Sequence, residues 1–61
     1  MKHAQADYIN LGYKYERAST PKSGQAIAQA IRSLLETETI EDRTEARYLV
    51  ERGRKEARET A

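Results

Sequence analysis

Cysteine, tryptophan and phenylalanine are all missing from this 61-residue chain, and histidine and proline occur once each. Without cysteine, no disulfide can staple the fold and no thiolate can act as nucleophile or metal ligand. His3, the single histidine, stands near the N-terminus without a second nitrogen or sulfur ligand, so no metal site and no cofactor are expected. No apolar run approaches the roughly 20 residues of a membrane span. The first residues carry no apolar signal-peptide core, and a cytoplasmic protein with no membrane partner is the expectation. Neither sign of charge dominates: 11 Lys and Arg against 10 Asp and Glu leave a net charge of +1. Strong global attraction to nucleic acid is therefore not indicated, and any such binding must use a local patch.

Large apolar residues are also scarce. Ile9, Leu11, Ile27, Ile31, Leu34, Leu35, Ile40, Leu49 and Val50 make up the aliphatic stock beside Met1, and four tyrosines are the only aromatics. Residues 1–61 allow one small helical domain, which buries only about 60% of the surface its unfolded chain exposes. Small folds without disulfides or metal often enlarge their core by oligomerising, and a homodimer is expected on that ground.

What is present points to helices. Two polar junctions, Ser19-Thr20-Pro21 and Thr37-Glu38-Thr39, divide the chain into three. Proline is favoured at the first helical position and Thr20 or Ser19 can cap it. Thr39 can cap the next helix, with Asp42 three residues on and Glu41 beside it at the positive end of the helix dipole. The reading is all-α, with helices over about 4–18, 21–36 and 40–59. They form a compact bundle, or a helical hairpin with an extra N-terminal helix, and residues 60–61 fall in a disordered end. In the first helix Ala4, Tyr8, Leu11, Tyr15 and Ala18 share a face, with Ile9 and Tyr13 on a smaller patch. The second, with Ile27, Ala28, Ala30, Ile31, Leu34 and Leu35 over a wide sector, is expected to be the core helix. Gly12 costs about 1 kcal/mol of helix propensity and is tolerable where another helix packs closely, while Gly53 either ends the third helix early or lets another helix approach; a continued helix with a frayed end is expected, because residues 54–59 are good helix formers.

The third helix sorts its charges by sign. On a wheel Arg43, Arg47, Arg54 and Arg58 fall within about 60° of one another. Glu41, Asp42, Glu45, Glu56 and Glu59 gather on the far flank, interrupted by Arg52. Between them runs a narrow strip of Ala46, Leu49, Val50, Gly53 and Ala57, suited to packing on another helix with the charged edges choosing partner and orientation. The expected protein interface is Tyr13, Arg43, Arg47, Tyr48, Val50, Arg54 and Arg58. The alternative surface lies on the second helix, where Lys22, Gln25, Gln29 and Arg32 are side chains able to contact phosphates and base edges. They follow a short turn, as a recognition helix does in a helix-turn-helix.

Enzymatic chemistry has little support. Thr20-Pro21-Lys22-Ser23-Gly24 lacks the glycine spacing of a nucleotide loop. The acids around the second junction lack the spacing of a calcium loop. No constellation with reacting geometry can be drawn, and no small-molecule substrate is expected. Tyr8, Leu11, Gly12 and Tyr15, with Asn10 before the leucine, give a stretch that resembles the first helix of a tetratricopeptide repeat over about eight residues. The resemblance implies a way of packing helices. The functional expectation is a small non-enzymatic regulatory or adaptor protein acting through helix-mediated protein contact, with itself or another protein as partner. The alternative is a small helix-turn-helix-like DNA-binding regulator.

Overall fold

The computed structural model of the protein describes residues 1–60. These form three helices, α1 (Gln5–Glu16), α2 (Pro21–Glu36) and α3 (Ile40–Thr60), with no strand among the described residues. The helix limits follow local chemistry. Thr20 is extended, and its hydroxyl accepts the Ser23 N–H at 3.1 Å while Pro21 opens α2. Thr39 repeats the device for α3, accepting the Asp42 N–H at 3.2 Å. α1 stops at Glu16, short of Ala18, the end expected for it: the Ala18 N–H bonds to the Tyr15 carbonyl only three residues back, at 3.3 Å, which tightens the last turn and closes the helix. Thr60, expected in a disordered end, is the last residue of α3, its hydroxyl donating to the Glu56 carbonyl at 3.0 Å. The same expectation for Ala61 lies outside the described residues.

The contacts fix the directions of the helices. Residues before α1 meet the start of α3, where the Met1 amine lies 3.3 Å from Asp42. The end of α1 meets the far part of α3, where Glu16 pairs with Arg54 and Arg58. α1 and α3 therefore run parallel, and α2 is the antiparallel return between them.

The strip on α3 finds its partner helix within the same chain. Ala46, Leu49, Gly53 and Ala57 are buried against α1, and Val50 packs at the edge of the same cluster. Two glycines set the spacing. A methyl group added at Gly12 would stand 2.8 Å from the carbonyl carbon of Val50, and one at Gly53 would stand 2.9 Å from that of Ile9. Each helix thus presents a bare backbone to the other, and their propensity cost is offset by a backbone-to-backbone approach no larger residue permits.

α2 is not the core helix. None of its residues is buried, although Leu34 and Leu35 pack against the cluster of Tyr8, Ala46 and Leu49. The reason is steric. α1 is the central element and already gives its glycine face to α3, so α2 must stand off on bulky leucine and isoleucine side chains. Its apolar sector is half-buried along its length.

Tyr8 is the largest fully buried side chain. Its position on the expected apolar face of α1 is correct, but its hydroxyl does not reach water. It donates to Glu38 Oε2 at 2.6 Å. Glu38 is itself buried at 5% exposure and also accepts the backbone N–H groups of Lys2 at 2.7 Å and His3 at 3.3 Å. Three donors from the N-terminal segment and α1 thereby converge on the α2–α3 junction.

Candidate functional site

The arginine stripe divides into structural and free members. Arg43 donates from Nε to the Leu35 carbonyl at 2.9 Å and from Nη2 to that of Glu36 at 3.4 Å, so it caps the C-terminal end of α2. Cations are favoured there by the carbonyls left unpaired in the last turn. Arg54 donates to Glu16 at 2.9 Å and to Glu51 at 2.9 Å, and its guanidinium lies 5.1 Å from the Tyr15 ring centroid. Arg58 reaches the same Glu16 oxygen at 3.1 Å. The hydrogen bond from Arg54 outweighs the opposing effect of burial and, with the nearby Arg58 charge, holds the Glu16 carboxyl below its usual range. Arg47 is exposed and has no ion pair among the described residues.

The other expected interface residues also separate. Val50 is turned into the α1–α3 seam beneath Gly12. Tyr13 is half-buried at the far end of that seam, its hydroxyl 3.2 Å from the Thr60 hydroxyl and receiving the Arg17 guanidinium at 3.1 Å. The Thr60 contact, followed by the Arg17 charge, lowers its proton affinity. Tyr48 points outward at 70% exposure.

On α2, Lys22, Gln25, Gln29 and Arg32 are all exposed, and Arg32 donates to the Gln29 side chain at 2.8 Å. The fold joins this face to the stripe, a juxtaposition that the two helical wheels taken singly do not contain. Two depressions open beside α2, the smaller between it and α3 and the larger where its start meets the end of α1. The smaller, about 150 Å³, is lined by Arg32, Leu35, Glu36, Arg43 and Arg47. The larger, about 540 Å³, is lined in part by Tyr15, Pro21, Gln25, Ala28 and Arg54. Each has an apolar floor and an arginine edge. Arg32, Arg43 and Arg47 form no ion pair among the described residues, so the smaller depression is a net basic groove with Glu36 as its one acid.

Glu38 is the residue that sequence reasoning missed as a structural centre. Burial works to raise its proton affinity, but the Lys2 N–H, the Tyr8 hydroxyl and the His3 N–H together outweigh it and hold the carboxyl below its usual range. Tyr8 is displaced the other way, strongly upward, first by burial and then by its bond to the Glu38 carboxylate. Glu38 stays an anion and Tyr8 stays a donor, and neither lines the grooves just described. The signal for such a pair is faint in sequence: a glutamate inside a short Thr-Glu-Thr junction reads as ordinary capping chemistry. His3 stands over the same junction, with Nε2 3.1 Å from the Thr37 hydroxyl and its ring edge-on to Tyr8.

No group of side chains able to hold a metal ion occurs among the described residues. No helix among them is long and apolar enough to cross a membrane. No protein-family model, no curated protein and no solved structure matches the chain.

Proposed function

We propose that the protein is a small non-enzymatic regulatory or adaptor protein of the cytoplasm that works through helix-mediated contact with another protein, its own second copy included. The carrying observation is the basic groove between α2 and α3, where Arg32, Arg43 and Arg47 surround Leu35 and form no ion pair among the described residues. Interfaces are enriched in arginine and aromatic residues around an apolar centre, and exposed Tyr48 extends that composition onto the outer side of α3. A non-enzymatic reading is supported by the two residues at the buried junction: Tyr8 and Glu38 satisfy each other inside the fold. The contact surface retained from the expected set is Arg47 and Tyr48 with Arg43 at the groove wall, now joined by Arg32. Arg54, Arg58, Tyr13 and Val50 serve the α1–α3 seam.

The test is quantitative cross-linking capture with the wild-type chain and with the Arg32→Glu/Arg47→Glu variant, both checked for helicity. Proteins held by the wild type and lost from the variant are the expected result. The same set held equally by both would overturn the reading.

A second reading, a DNA-binding regulator, is favoured by one observation: Lys22, Gln25, Gln29 and Arg32 are all exposed on the helix that follows the first turn. It predicts a gel shift that weakens steeply with salt and is lost in the Gln25→Ala/Gln29→Ala/Arg32→Ala variant. No shift with any duplex at low salt would remove it.

A further inference from the structure

The basic groove has a floor as well as walls, and that narrows what it fits. A phosphate backbone makes use of the arginines but has nothing to place on Leu35, and Glu36 at the rim opposes it. A helix carrying carboxylates beside an apolar side chain uses both. Two depressions open along α2, one around Ala28 and one around Leu35, seven residues or about 10.5 Å apart on the helix.

This chain contains such a helix face. Glu41, Glu45 and Tyr48 fall within about 60° on the α3 wheel, on the side away from the arginine stripe. Neither Glu41 nor Glu45 has an ion pair among the described residues. Tyr48 and Ile40 are the two most exposed large apolar side chains, at 70% and 79%. They stand eight residues apart, about 80° from one another on the wheel, so Tyr48 alone is the apolar side chain of the acidic face. Unpaired cations around an apolar floor and unpaired anions beside an apolar knob thus occur on the same molecule.

We propose that the groove between α2 and α3 receives the outward face of α3 from a second copy of the chain, with Arg32, Arg43 and Arg47 of one copy meeting Glu41 and Glu45 of the other and Tyr48 covering Leu35. Every copy carries both halves of the contact; an arrangement about a two-fold axis engages both at once, whereas one half per copy would run head to tail. The inference rests on the reading of the α2–α3 side as a protein-contact surface and names its partner.

The experiment is a charge exchange between full-length chains, followed by sedimentation equilibrium at low and high salt. Arg32→Glu/Arg47→Glu reverses the groove, and Glu41→Arg/Glu45→Arg reverses the face. All four positions are exposed, and Arg43 is left alone because it caps α2. The wild type is expected to dimerise, more weakly in high salt. Each variant alone should dissociate with a constant raised about tenfold or more, because like charges then oppose each other. A 1:1 mixture of the two variants should restore the pair. Tyr48→Ala, which leaves every charge in place, should weaken it as well. A wild-type dimer indifferent to both exchanges would overturn the proposal, and so would a mixture that stays dissociated. A wild-type monomer that still loses its captured proteins in Arg32→Glu/Arg47→Glu would overturn the second copy as occupant while keeping the protein-contact reading. A wild-type monomer that binds duplex DNA through the same arginines would overturn both.

Discussion

α1 and α3 meet backbone to backbone, whereas α2 rests on the same core by the tips of its side chains. The first contact has two glycines at its centre and buries Ala46, Leu49 and Ala57 completely or nearly so. The second leaves every residue of α2 at least partly open to solvent, on the helix with the widest apolar face in the chain. Breadth of apolar surface therefore does not decide which helix is central. The closest approach goes to the pair that can remove side chains from between their backbones, and dispersion attraction rewards that proximity steeply.

The comparison can be broken most severely at the glycines. Gly53→Ala places a methyl group against the Ile9 carbonyl, with no flexible side chain to yield. A loss at or above the top of the roughly 1–3 kcal/mol typical of overpacking is expected, despite the helix propensity gained. For so small a domain that is a large share of total stability. Urea unfolding followed by circular dichroism measures it, and unchanged stability would refute the seam. Gly12→Ala should act alike. The double variant should cost less than the sum, because either methyl group already opens the same seam.

Next in size is the buried junction where α1 meets the α2–α3 turn. Tyr8→Phe removes the donor to Glu38 and should cost about 1.5–3 kcal/mol, the range for hydrogen bonds to charged groups. The junction also sets a pH dependence with two limbs. Glu38 and Glu16 are both depressed in the folded state. Their contribution is complete above the unfolded carboxylate value of about 4.3 and is lost as pH falls through the folded values. Tyr8 is raised, so the unfolded chain releases its proton first and stability falls as pH climbs above about 10. Thermal melts from pH 2 to 11 should show both limbs. Glu16→Gln/Glu38→Gln should flatten the acid one, and Tyr8→Phe should weaken the alkaline one.

The third glycine sharpens the contrast with the opposite sign. A methyl group at Gly24 would meet only the Ala18 Cβ, at 3.9 Å, an ordinary contact. Gly24→Ala should therefore stabilise the protein by about 0.5–1 kcal/mol through helix propensity alone. A destabilised variant in denaturant titration would show α2 to be held more tightly than described. The smallest effect is expected at Arg47, exposed and unpaired: Arg47→Ala should stay within about 0.5 kcal/mol of wild-type stability. A larger loss would mean that Arg47 serves the fold and not a partner.

Much of this architecture was legible in the chain because it is written locally. Thr20-Pro21 and Thr39 state where α2 and α3 begin, since a hydroxyl three residues ahead of a free N–H and a ring that fixes φ act within one turn. The strip from Ala46 to Ala57 was legible as a helix-packing face for the same reason: periodicity is a local property. The candidate site was only half legible. Arg47 and Tyr48 could be read as outward-facing, but the sharing of Glu16 by Arg54 and Arg58 joins residues 38 and 42 positions apart. No spacing rule reaches that far.

Three helices, the limits of α2, the start of α3 and the division of α3 into a basic edge, an acidic flank and a small-residue strip were thus set by the chain alone, because each depends on neighbours within a few residues. Only the tertiary structure decided that the strip packs on α1 in parallel, that Glu38 is drawn under Tyr8, and that Arg32 joins Arg43 and Arg47 around one groove. Those outcomes depend on which of several apolar faces can come closest, and that competition is settled in three dimensions by the absence of two side chains, at Gly12 and Gly53.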